Sequence, residues 1–239
     1  MMRVHSVVRE ERMRPFKISG FIGVAVILML VVLIFVFPPR AQSMVEGFFT
    51  PIIAYEFIQT KDEVYRLFGS EASPEREVLV RAMDRGNQLD FIYMVLYSAF
   101  LFTFSIRCSR ERGKKFFLLG AVISILVLVS DFCENIQLLG ITSKLETGGF
   151  EAELMYLNIF TWLKWGGIAL IFLILMPYFF KGSLVAKGIA LLGVIASILG
   201  LLAFIHRSVI NEIFALSVGI MFFCMILYSL LYRKSVSAS

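Results

Sequence analysis

Apolar residues in this chain come in long blocks, unlike the alternation of a strand or the one-sided stripe of a soluble helix. A helix crossing a hydrocarbon layer about 30 Å thick needs roughly 20 such residues, at about 1.5 Å of rise each. Six blocks meet or approach that length: residues 18–37, 90–106, 116–141, 154–180, 184–205 and 209–232. The second is short, and a helix leading into it can supply the missing turns. Arg3, Arg9, Arg12, Arg14 and Lys17 give the first block the look of a signal peptide. Its length, and its end at Phe37-Pro38-Pro39-Arg40 with no small-x-small cleavage site, point instead to a retained helix.

The polar intervals set the expected orientation. The N-terminal tail and residues 107–115 each hold five Lys or Arg, while Lys181, Lys187, Arg233 and Lys234 fall in the later intervals on the same side. The short intervals on the other side hold only Lys144 and Arg207. Basic residues gather on the cytoplasmic face of membrane proteins, so both termini are expected inside. The long interval between the first two spans carries six basic and eight acidic residues and should lie outside.

That interval is patterned. Residues 51–68 mix Ile52, Ile53, Phe57, Val64, Leu67 and Phe68 with Glu56, Lys61, Asp62 and Arg66, which suits one or two amphipathic helices on the membrane or over the bundle. Gly69-Ser70 breaks the pattern. Ser73-Pro74-Glu75-Arg76-Glu77 then reads as a helix start, with Ser at the N-cap, Pro in the first turn and acids near the positive end of the helix dipole. A long helix should begin there and run to Ile106.

The expected fold is therefore all-α: a polytopic membrane helical bundle of six transmembrane helices, N-in/C-in, with a helical outer segment between the first two. The parts are a basic cytoplasmic tail (1–17), the first span (18–37), the outer segment (38–89) and a five-helix bundle (90–239). The expected location is the plasma membrane, the inner one if the source is bacterial. Composition agrees, with 59% hydrophobic residues, 17% charged and a mean hydropathy of +0.83. The net charge of +5 follows from the sidedness and does not imply nucleic acid as a partner. Cys108, Cys133 and Cys224 show no paired spacing, so neither a disulfide framework nor a zinc site is expected. In the fifth span Ala186, Ala190, Gly193, Ala196, Ser197 and Gly200 are spaced for close helix packing. Tyr178, Phe179, Tyr228 and Tyr232 fall where interfacial aromatic belts belong.

Ionisable groups in hydrocarbon cost several kcal/mol or more and need a partner or a task. The third span carries Asp131, Glu134 and Asn135, whose spacings put them on one helix face. The fourth carries Asn158, Thr161 and Lys164 at three-residue steps, with Trp165 beside them. Asp90 heads the second span, and Tyr93 and Tyr97 continue its face. Asp131 and Lys164 each lie ten residues from the outer edge of their spans, at matching depths of roughly 15 Å. The expectation is a polar cavity walled by three spans and opening outward. Three carboxylates would face one ammonium there, leaving net −2. A proton, a bound cation, or a descending Arg81 or Arg85 could relieve that charge. His206 sits in the short outer turn between the last two spans, near enough to reach the mouth if those helices pack beside it.

No nucleophile elbow, phosphate loop, HExxH or dinucleotide motif is present, and His5 and His206 are too few for a histidine-rich membrane hydrolase. The stretches Ala54-Tyr55-Glu56-Phe57, Val64-Tyr65-Arg66-Leu67-Phe68-Gly69, Asn87-Gln88-Leu89-Asp90-Phe91 with Leu96-Tyr97, and Asp131-Phe132-Cys133-Glu134-Asn135 together resemble an uncharacterised family of small bacterial multi-pass integral membrane proteins. In it a helical outer segment leads to an Asp-headed span, and a D-x-x-E-N motif sits in the next. The resemblance covers roughly residues 50–140 and implies that Asp90, Asp131, Glu134 and Asn135 form a unit; it brings no activity.

Three functions stay open. The cavity binds or transports a small ligand, lipid headgroup or cation. Alternatively, the chain is a non-catalytic membrane partner or assembly protein with a structural ion-pair network. The third option is an intramembrane lipid-modifying enzyme using the carboxylates and Lys164. No cofactor is implied. The expected partners are the lipid bilayer, a small ligand or headgroup, and a second copy or another membrane protein.

Overall fold

The computed structural model describes residues 14–233. Arg3, His5, Arg9, Arg12 and Lys234 lie outside the described residues. The described chain is all-α. Its helices are α1 (Lys17–Val36), α2 (Pro51–Glu56), α3 (Lys61–Phe68), α4 (Pro74–Arg112), α5 (Leu118–Ser143), α6 (Glu151–Phe180), α7 (Leu184–Ile205) and α8 (Val209–Leu231), with a 3₁₀ turn at Lys115–Phe117 before α5. Six of them, all but α2 and α3, are long and apolar enough to span a membrane. The chain is a multi-pass membrane protein.

Local chemistry explains the boundaries. The Ser73 hydroxyl accepts the Arg76 N–H at 3.1 Å and Pro74 fills the first turn, so α4 starts where the sequence predicts. It runs six residues past the expected end, through the basic stretch, and stops at Gly113, whose φ of 64° is left-handed. The expected division at residue 89/90 is therefore not a break in the backbone. The outer segment forms two short helices, and a capping box between Thr60 and Glu63 starts the second.

The spans form a closed ring. Each packs on the next in the order α1, α4, α5, α6, α7, α8, and α8 returns to α1. Small residues set the closest approaches. A Cβ at Gly23 on α1 would stand 2.6 Å from Ile226 of α8, and one at Gly200 on α7 2.9 Å from the Phe214 ring of α8. The outward faces are apolar and exposed, for example Phe21, Leu28 and Phe35 on α1 and Leu201 and Phe204 on α7, as a lipid-facing surface requires.

Aromatic side chains fill one half of the ring. Phe100, Phe104, Phe172, Phe179 and Phe222 are buried, and Phe16 inserts between Phe104, Tyr178, Tyr228 and Tyr232 with ring centroids 4.8–5.7 Å apart. This corrects one expectation. Tyr178 and Phe179 turn inward and are buried, while Tyr228 and Tyr232 are half-buried. Tyr178 packs edge-to-face on Phe16 and Phe179 stacks on Phe104, an inward environment that hydropathy alone cannot distinguish from a headgroup layer.

At the other end of the ring α2 lies across α5, α6 and α8, and α3 rests on α2 and α4. α2 closes the bundle like a plug.

Candidate functional site

The polar residues converge beneath that plug. On α5, Asp131, Glu134, Asn135, Leu138 and Thr142 line the buried face. On α6, Thr161, Lys164 and Trp165 do the same. Lys164 Nζ is at the centre: it lies 3.1 Å from Glu56 Oε2, 3.3 Å from Asp131 Oδ1, and in direct contact with Glu134 Oε2. Side-chain exposure is 7% for Lys164, 2% for Asp131, 0% for Glu134 and 13% for Glu56. Three carboxylates thus surround one ammonium.

Further donors reach the carboxylates from α4 and α6. Tyr97 of α4 donates its hydroxyl to Asp131 Oδ2. Trp165 Nε1 donates to Glu56 Oε2 at 2.8 Å. Thr161 Oγ1 stands 2.7 Å from Glu134 Oε1 and 3.0 Å from the Glu56 carbonyl oxygen. Asn135 Nδ2 donates to Asp90 Oδ2 at 2.7 Å, joining α5 to α4 one turn above Asp131. Aromatic rings bound the site below: Tyr97 meets Phe222 at 5.9 Å, and Trp165 meets Phe214 at 5.5 Å. The Lys164 ammonium lies 5.4 Å from the Trp165 ring centroid.

Glu56 was not among the candidates. It sits in a six-residue helix with no usable periodicity, 75 residues from Asp131 in sequence. The one available signal was an acid inside the apolar run Ile52-Ile53-Ala54-Tyr55-Glu56-Phe57-Ile58. Burial pushes the Glu56 carboxyl above its ordinary range, against the opposing pull of Lys164. Asp84 was also missed, counted among the loop acids; it accepts the Thr142 hydroxyl at 2.8 Å.

The expected outward cavity is closed in this structure because Glu56 and its helix occupy its place. Other assignments shift with it. Asn158 is half-buried on the lip of a surface hollow of about 550 Å³ that it shares with Gln59, Thr60, Lys61 and Glu151, and no hydrogen bond joins it to the cluster. Arg81 and Arg85 are exposed, and Arg81 pairs with Glu77 one turn away on its own helix, so neither descends to relieve the cluster. Arg side chains on that face of α4 point to solvent while Asp84 and Asn87 point inward. His206 is exposed at the end of α7 and takes no part. Tyr93 is half-buried, its ring 5.3 Å from that of Tyr97. Among the described residues no group of three or more His, Cys, Asp or Glu is disposed around a metal centre; the carboxylates converge on the ammonium instead.

Polar latches fix the plug. Glu212 of α8 accepts the N–H groups of Phe49 and Thr50 at 2.9 and 2.8 Å and the Thr50 hydroxyl at 2.8 Å. Tyr55 donates to the Leu138 carbonyl at 2.5 Å. Arg207 pairs with Glu63 at 2.7 Å and covers the Phe48 ring. Burial would raise the Glu63 carboxyl, but the Arg207 guanidinium and the N–H groups of Gln59 and Thr60 outweigh it and hold it below its usual value. No family model, curated protein or solved structure matches the chain, so the chemistry of the cluster has to be argued from its own atoms.

Proposed function

We propose that this multi-pass protein sits in the plasma membrane with both termini cytoplasmic, and that its bundle binds and exchanges a cation, the proton, in the carboxylate–lysine cluster beneath the α2 plug. The observation that carries the reading is the position of the Thr161 hydroxyl. It has a single proton, and the Glu56 carbonyl oxygen beside it can only accept. A three-centre bond from Thr161 to both oxygens would be weak. A protonated Glu134 resolves the geometry: its Oε1–H donates to Thr161, Thr161 donates to the carbonyl, and Glu134 Oε2 keeps its lone pair for Lys164.

Charge supports the same assignment. Glu56, Asp131 and Glu134 against Lys164 leave net −2 when fully ionised. Protonating a carboxyl of ordinary pKa near 4 costs about 4 kcal/mol at neutral pH. The effective penalty for an ion buried without a partner is several kcal/mol, and its idealised limit is about 20 kcal/mol. Proton uptake is the cheaper course. An anionic headgroup is a poor occupant because three carboxylates already surround the Lys164 ammonium. The same fact counts against a lipid-modifying mechanism in which Lys164 holds a phosphate.

One observation favours a second reading, in which the network is structural: Glu56 ties α2 to Lys164 and Trp165 as a latch would. Infrared spectroscopy of the protein in lipid nanodiscs near neutral pH separates the two. The proton-binding reading expects the carbonyl stretch of a protonated carboxyl, shifted in D₂O and lost in Glu134→Gln. A spectrum with carboxylate bands alone at about pH 7, where ordinary carboxyls are ionised, overturns it.

A further inference from the structure

A polar seam between α4 and α5 leads from the rim of the bundle to this cluster. Asp84, Asn87 and Asp90 follow one another at three-residue steps on α4 and therefore share a face. α5 runs antiparallel beside them. Thr142 bonds Asp84 at the rim and Asn135 bonds Asp90 deeper in. Asp131, one turn below Asn135, receives the Tyr97 hydroxyl, and Tyr93 stands between Asp90 and Tyr97 on α4. Asp84 is half-buried, within reach of solvent.

Asn87 is the unexplained member. It is 1% exposed, yet neither its Nδ2 nor its Oδ1 has a hydrogen-bond partner among the described residues. A buried amide without partners costs about 1–3 kcal/mol, so such a residue calls for a reason. An apolar side chain would serve packing better. A donor and an acceptor side by side, between two carboxyls on one helix face, fit a water molecule that links them.

We propose that the α4–α5 seam is the proton entry of the cluster, with Asp84 as its mouth, Asn87 as the holder of the relaying water, and Asp90 as the inner acceptor. This rests on the proton-binding reading above. A proton from solvent protonates the Asp84 carboxylate. Asp84 gives a proton to the water at Asn87, which passes one of its own to Asp90; Asp84 returns to the ionised form and is protonated again from solvent. Asp90 then delivers to the Asp131 end of the cluster past Tyr93 and Tyr97. No co-reactant is needed. The hollow beside Asn158 is the competing route.

The test is the rate at which the protonated-carboxyl band shifts after the protein in nanodiscs is mixed into D₂O. Asn87→Leu should slow that shift by at least about tenfold, equivalent to about 1.4 kcal/mol of barrier, while leaving the size of the band and the thermal stability unchanged or higher. Asn158→Leu should exchange like the unaltered protein. Asp84→Asn, at a half-buried position, provides the same reading should Asn87→Leu fold poorly. Unaltered exchange in Asn87→Leu, or in Asp84→Asn where the first variant misfolds, overturns the route. So does slowed exchange in Asn158→Leu. A missing band in the unaltered protein is a different outcome, since it removes the proton-binding reading itself.

Discussion

Replacing Lys164 with Met tests the centre of the cluster, because Met keeps the length of the side chain and removes only the ammonium. Glu56 and Asp131 would then remain buried without a cation, with Tyr97 and Trp165 as their donors. Removing one partner of a buried ion pair costs about 3–5 kcal/mol. At about 2–4 °C per kcal/mol for a chain of this size, Tm should fall by about 6–20 °C near neutral pH. The pH dependence is the sharper part of the expectation. In the variant the two orphaned carboxyls gain from protonation on folding, so the folded state binds more protons than the unfolded state and stability rises as pH falls. Each proton taken up returns about 1.4 kcal/mol per pH unit. Acidification by one unit should therefore recover about 1.4–2.7 kcal/mol of the loss, over and above the roughly 1.4 kcal/mol that the protonated Glu134 gives parent and variant alike. Thermal unfolding in mild detergent, followed by loss of the monodisperse size-exclusion peak at a series of pH values, measures both quantities. A variant as stable as the parent near neutrality, or one destabilised further by acid, would refute the reasoning.

Two further expectations concern the frame around the site. Gly167→Ala would set a Cβ 2.6 Å from Val127 Cγ2 across the α5–α6 contact and should cost about 1–3 kcal/mol; its neighbour Gly166 has open space, so Gly166→Ala should be neutral or stabilising by up to about 1 kcal/mol, and equal melting temperatures for the pair would contradict the packing. The Glu63 carboxyl is held below its usual value, so its bond to Arg207 contributes fully above the unfolded-state pKa and is lost as pH falls through the folded-state value. Glu63→Gln should accordingly cost about 1 kcal/mol near neutrality and progressively less as pH falls below about 4, read as Tm against pH; a constant difference across that range would count against the latch.

The spans were legible because lipid forbids unpaired backbone groups, so the apolar blocks had to be helices. Ser73 and Pro74 marked the start of α4 for a local reason, an N-cap and a ring that fits the first turn. Asp131, Glu134 and Lys164 were legible too, since helical spacing and depth both follow from position along a span. What could not be read depended on rotation and on contacts far apart in sequence. Asn158 and Thr161 are three residues apart on α6, yet helix rotation turns one to the lip and the other to the carboxylates. Glu56 reaches Lys164 only because Glu212, 156 residues further along the chain, holds the start of α2 in place. No periodicity records a contact of that kind.

The latches also say which element can move. The six spans are held by backbone hydrogen bonds that lipid cannot replace, and by packed side chains. α2 is six residues long and its entry is held by side-chain bonds at Glu212, which water can replace. A short element whose entry rests on replaceable bonds opens before the spans do. On the proton-binding reading, lifting α2 changes the charge of the site as well as its access. With the plug seated and Glu134 protonated, Glu56, Asp131 and Lys164 sum to −1. With Glu56 withdrawn, Asp131 and Lys164 sum to zero, and the Thr161 hydroxyl loses the Glu56 carbonyl it donates to. Both changes weaken the hold on the Glu134 proton. Loading and plug position are thereby coupled through one residue, Glu56, which belongs to the plug and to the site at once.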